Sequence, residues 1–175
     1  PYALLEHKAG GQVVLSVGPT PDLRRARQLT VSPVGDEHGL RHRAWIEDNR
    51  RRVDELSDGR LAYLYLPNTH VGGYDGFTRG YYSQLDKQGV VVDERFNGGG
   101  LVADFVVDML SRRPLNWHVT REGRVYSSPL AVIPGPRVML INQYAGSGGD
   151  CLPAYFRQLG LGPLVGTRTW GGLIG

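Results

Sequence analysis

The stretch that most constrains this chain is Val138–Asp150, VMLINQYAGSGGD. A continuous apolar run bounded by turn residues suits a short strand buried on both faces. Gly146, Gly148 and Gly149 then allow a corner too tight for bulkier residues. A helix pattern follows, so Ser147 falls where a strand end meets a helix start. Backbone N–H groups converge there, and the helix dipole favours negative charge. Such a corner presents a serine nucleophile, but it also suits a plain helix cap or part of a phosphate cradle. The phosphate loop requires a lysine that this stretch lacks, and the dinucleotide fingerprint fails at Cys151. The hydrolase elbow G-x-S-x-G matches only in part, because Ala145 replaces its first glycine.

The length of 175 residues is enough for a real core and suggests one domain with a partial second. Hydrophobic residues make up 41% and charged residues 21%, as in ordinary globular proteins. The net charge of +3 comes mostly from arginines spread along the chain. That pattern argues against a nucleic-acid partner. The single Cys151 excludes an internal disulfide framework and fits a reducing compartment. With no apolar run near 18 residues and no signal peptide, no membrane partner is expected and the cytoplasm is the expected location. The chain starts without methionine, inside a helical pattern, and stops where a strand would start. It therefore reads as a segment of a longer polypeptide.

Residues 1–8 predict a short helix, Val13–Val17 a strand, and Arg27–Val34 a second strand with alternating pattern. These elements are too few for a core of their own. A helix follows from about Leu40 to Leu56, with Leu40, Trp45, Ile46, Val53 and Leu56 as its apolar stripe and Gly59 as its stop. From Leu61 strands and helices alternate: strand 61–66, a helix around Tyr74, Phe77 and Tyr81, and strand 90–93. The turn Asn97–Gly100 then leads to a helix 101–111 with Leu101, Phe105, Val106, Met109 and Leu110 inward. Residues 112–136 look irregular. Strand 137–142, a helix 148–159 and a short strand at 164–166 complete the pattern. Such alternation predicts a parallel sheet with covering helices. Functional groups in such sheets gather at the carboxyl ends of the strands. Two of those ends are glycine turns, 97–100 and 145–149. If their strands are neighbours, one turn supplies a nucleophile and both supply backbone donors.

The segments DERFNGGG (93–100), NQYAGSGGD (142–150) and GTRTWGG (166–172) together resemble the peptidase core of tricorn-type proteases, relatives of the C-terminal processing peptidases. The resemblance covers nearly the whole chain. It implies an α/β fold of the crotonase/ClpP-like kind over 61–175, preceded by a connecting helix at 36–60 and the tail of a PDZ-like β-rich domain at 1–35. It makes Ser147 the acylating nucleophile, and the N–H groups of Gly148 and Gly100 the oxyanion hole. His118 falls where tricorn proteins carry an acidic residue that shapes the substrate pocket. Peptides are the implied substrates, a homo-oligomer the implied assembly, and no cofactor or metal is called for.

One departure separates the two branches of that family. Gly172 stands where processing peptidases carry the lysine that partners the serine, and Lys8 and Lys87 both precede the motif. The tricorn branch instead takes a histidine from an upstream domain and a glutamate from beyond the core. A serine without a base is a weak nucleophile, so the segment alone is expected to be nearly inactive. Among local histidines, His70 just after a strand end is the best placed, although no motif supports it. His38 and His42 read as a solvated helix start. Two other readings stay open at this point: an acyl-CoA enzyme of the crotonase type, and a non-catalytic peptide-binding scaffold.

Overall fold

The computed structural model describes residues 2–173. The chain forms two compact units that meet within one helix, at Trp45 and Ile46. In the first unit a single helical turn, α1 (Tyr2–Leu5), precedes strands β1 (Val13–Val17) and β2 (Arg27–Val31). The two strands pair antiparallel, with Leu15 opposite Leu29. The Asp22 carboxylate accepts the Arg24 N–H and starts the short 3-10 turn between them. Helix α2 (His38–Leu56) runs out of this unit into the next.

None of the residues of α2 is buried, and Leu40 and Leu56 of the expected apolar stripe are exposed. Five large apolar residues in 19 make a face too narrow to be sealed from water. Charged pairs along the helix surface, such as Arg50 with Glu47, support it instead. It stops at Gly59, which adopts φ +71 and donates its N–H to the Asp54 carbonyl.

The second unit continues with β3 (Leu61–Tyr65), α3 (Val71–Tyr82), β4 (Gly89–Asp93), α4 (Ala103–Ser111), β5 (Asn116–Val119), β6 (Val125–Ser128), β7 (Arg137–Ile141), α5 (Gly148–Gln158) and β8 (Leu164–Gly166). Strands β3, β4, β7 and β8 lie side by side in that order, every pair parallel. This is the α/β architecture that the alternation predicts. All five residues of β4 are buried, which explains why this strand reads as an unbroken valine run. Val90, Val92 and Met139 of the sheet share one core with Phe77 and Tyr81 of α3, Val106 and Leu110 of α4, and Leu152 and Phe156 of α5.

Two expectations are corrected. Helix α4 begins at Ala103, and Leu101 and Phe105 face solvent, Leu101 at 94% exposure. The Val102 N–H is held by the Thr69 carbonyl, which delays the helix and leaves Leu101 and Phe105, one turn apart, along its outer edge. The buried face is Ala103, Val106, Val107, Met109 and Leu110. The irregular stretch 112–136 contains the antiparallel hairpin β5–β6. Its only buried strand residue is Ser127, so no apolar alternation marks it.

Deep in the core the Tyr81 hydroxyl accepts the Ile133 N–H at 2.9 Å. Tyr81→Phe removes that acceptor and leaves a buried amide unsatisfied. The expected loss is about 1–3 kcal/mol of unfolding free energy in urea titrations. An unchanged midpoint would contradict the assignment.

Candidate active site

Because β4 and β7 are hydrogen-bonded neighbours, the segments leaving their carboxyl ends emerge side by side. The first turn is shaped by Asp93. Its buried carboxylate accepts the Arg95 N–H at 3.1 Å, Arg95 Nε at 2.9 Å and Nη2 at 2.6 Å, and the Tyr63 hydroxyl at 2.7 Å. This bidentate clamp folds the chain back within two residues. Burial, with the Asp93 carboxylate as acceptor, holds the Tyr63 phenol well above its usual range.

The two turns are then laced together. Asn142 Oδ1 accepts the N–H groups of Phe96 at 3.0 Å and Tyr144 at 3.2 Å. The Asn97 carbonyl accepts the Gly146 N–H at 3.1 Å, and Asn97 Oδ1 accepts the Gly99 N–H at 2.8 Å. The rings of Phe96 and Tyr144 stack above, with centroids 5.5 Å apart. A third segment joins from β3, where the Thr69 N–H donates to the Gly99 carbonyl.

Glycine is required at the contact itself. A Cβ on Gly148 would run into Thr69 Oγ1 and the Gly100 carbonyl, and would lie 2.7 Å from the Gly100 nitrogen. Gly100 sits at φ +143, and a Cβ there would meet the Thr69 backbone. Backbone therefore packs on backbone, with the amides of residues 100 and 148 close together. Neither amide donates a hydrogen bond to another described residue.

Ser147 is exposed on this corner, with φ +56 and ψ −115. A serine pays steric strain in such a conformation, and strain of this kind collects at functional sites. Asp150 helps to hold it: Oδ2 accepts the Ser147 N–H at 2.8 Å, and Oδ1 accepts the Gly171 N–H at 2.7 Å. Partial burial raises the Asp150 carboxyl, but the donors of Gly171, Thr169, Ser147 and Leu173 outweigh it and leave it below its ordinary value. Ser147 borders two cavities, one of about 360 Å³ with Gln143, Tyr144 and Trp170, the other of about 290 Å³ with Gly100, Asp104 and Tyr155.

The structure thus brings Ser147, Gly148 and Gly100 together. His118 lies on β5, exposed and stacked on Tyr126, and lines neither cavity. The backbone of His70 adjoins Gly100, but no histidine lines either cavity. Sequence reasoning missed Glu94 and Tyr63. Glu94 is fully buried, and burial with the Asp150 and Asp93 carboxylates nearby pushes it up to about 9. The available signal was an acid placed directly after a wholly buried, valine-rich strand.

A strained serine at a strand-to-helix corner of a parallel sheet has the geometry to present a nucleophile, and comparison with known proteins narrows the class. Residues 60–174 match the model of Peptidase family S41, and the chain belongs to that family. It is 41% identical over its whole length to tricorn protease homolog 1 of Streptomyces coelicolor, covering 16% of that protein. Tricorn protease of Thermoplasma acidophilum is 36% identical over 99% of the chain, again 16% of the relative. The crystal structure of the tricorn protease superposes with a TM-score of 0.88, at 36% identity, over 99% of this chain and 17% of that one. The chain therefore spans about a sixth of the length of the relatives it matches.

Asp150→Asn keeps one of the two acceptors, and a loss of about 1 kcal/mol is expected, as for other helix-start acceptors. The folded-state carboxyl is depressed, so its contribution is complete above the ordinary value of 3.8 and disappears as pH falls through the lower folded value. Unfolding midpoints of the parent and the variant should differ at pH 7 and converge below about pH 4. A gap that widens on acidification would contradict this.

Proposed function

We propose that this chain is the reaction core of a tricorn-type serine peptidase, in which Ser147 attacks a peptide carbonyl to form an acyl-enzyme. One observation carries the reading: two backbone N–H groups, Gly148 and Gly100, stand beside a strained serine with no acceptor among the described residues. Charge developing on the carbonyl oxygen needs donors fixed in advance, and a pair of amides from a rigid sheet supplies them. The serine proton passes to a base, then on to the leaving amine, and water repeats the cycle to release the acid.

No histidine lines either cavity beside the serine, and the base in this reading comes from elsewhere in the assembled protein. The length of the relatives supports this, since most of each lies outside the matched region. The segment by itself is accordingly inactive or nearly so. For the parent protein we propose peptide substrates, assembly from several chains, and a cytoplasmic setting. The lone unpaired Cys151 supports a reducing compartment.

A polypeptide carrying this chain with its flanking regions should be labelled at Ser147 by a fluorophosphonate. Ser147→Ala should abolish labelling and lower kcat by at least about a thousandfold. Gly148→Ala, which displaces one donor, should lower kcat by roughly 10²–10³. Hydrolysis that survives Ser147→Ala would refute the assignment.

A further inference from the structure

Glu94 is the least expected group near this site. It is fully buried, and neither of its carboxyl oxygens meets a donor among the described residues. Buried polar groups are nearly always partnered, and a buried unpartnered charge is costly enough that the group neutralises instead. Among the other buried side-chain atoms without a partner are Asn97 Nδ2 and Thr69 Oγ1. Both belong to the junction of the two glycine turns: the Asn97 carbonyl holds Gly146, and the Thr69 N–H holds Gly99. The main chain of Glu94 forms the pivot of that junction. Its N–H donates to the Leu140 carbonyl of β7 at 3.0 Å, and its own carbonyl accepts the Asn97 N–H at 3.0 Å.

The charges facing Glu94 are the carboxylates of Asp93 on β4 and Asp150 on α5. Arg95, in the turn itself, is engaged through two nitrogens by Asp93, which also takes the Tyr63 hydroxyl. A third negative charge at this spot would repel both acids and gain no hydrogen bond in return.

We propose that Glu94 is a positioning residue for Ser147: as the uncharged acid it lets the 97–100 turn seat against the serine corner, and its ionisation drives the two apart. The inference rests on Ser147 being the nucleophile. Burial together with the two facing carboxylates pushes Glu94 up to about 9, so the acid form prevails at neutral pH.

The test measures the rate of fluorophosphonate labelling of the full-length protein between pH 6 and pH 10, for the parent and for Glu94→Gln. The parent should lose reactivity as pH rises through about 9, and the variant should lack that limb. A limb that persists unchanged in the variant overturns the inference while leaving the nucleophile in place. Absence of labelling at every pH instead overturns the nucleophile reading and the inference with it.

Thermal unfolding provides a readout that does not depend on activity. A carboxyl raised in the folded state makes stability fall as pH climbs from the ordinary value of 4.5 to about 9. The Tm of Glu94→Gln relative to the parent should therefore increase steadily between pH 5 and pH 9. A flat difference contradicts a buried neutral acid. Glu94→Met, similar in length and unable to ionise, answers the same question if the glutamine variant fails to fold.

Discussion

Everything at this site depends on one contact in which main chain lies directly against main chain. The turns that follow β4 and β7 touch through glycines, and a Cβ on Gly148 would collide with residues of both Thr69 and Gly100. Side chains cannot create that proximity. It is set lower down, by the hydrogen-bonded pairing of two buried parallel strands, whose register places Asp93 beside Leu140. The sheet thus fixes the separation of the two corners, and the corners fix where two amides and one hydroxyl can meet.

Three carboxyl groups surround the contact, and each is accommodated differently. Asp93 is neutralised by a clamping arginine and a tyrosine hydroxyl. Asp150 is stabilised as an anion by amide donors that include that of Ser147 itself. Glu94 has no such partner and is held as the acid. In the proposed reaction negative charge develops only on the substrate oxygen. Closely placed carboxyls are tolerable when their charge is tied up or absent. The strain at Ser147 is the visible cost of placing a serine at such a packed corner.

Much of this was legible in the sequence because local signals agreed with the tertiary outcome. The valine run of β4, the apolar run of β7 and the glycine corners after each predict adjacent buried strands with functional ends, and they are neighbours. Where neighbours in space override the local pattern, the sequence misleads. Leu101 and Phe105 fit an inward face by spacing, yet the tie from Val102 to Thr69 turns them outward. The β5–β6 hairpin escapes notice because its strands are almost wholly exposed and carry no alternation. Glu94 was invisible as a functional candidate for a related reason. Its meaning lies in what surrounds it, above all a helix residue 56 positions later, and one-dimensional spacing does not report that.

The most direct measurement is a crystal structure of the full-length protein with Ser147 covalently phosphonylated. The account predicts that one phosphonyl oxygen lies about 3 Å from the amide nitrogens of both Gly148 and Gly100, within hydrogen-bond distance of each. A phosphonyl oxygen turned to solvent, or bound by side chains while the Gly100 amide stays well out of reach, would contradict it.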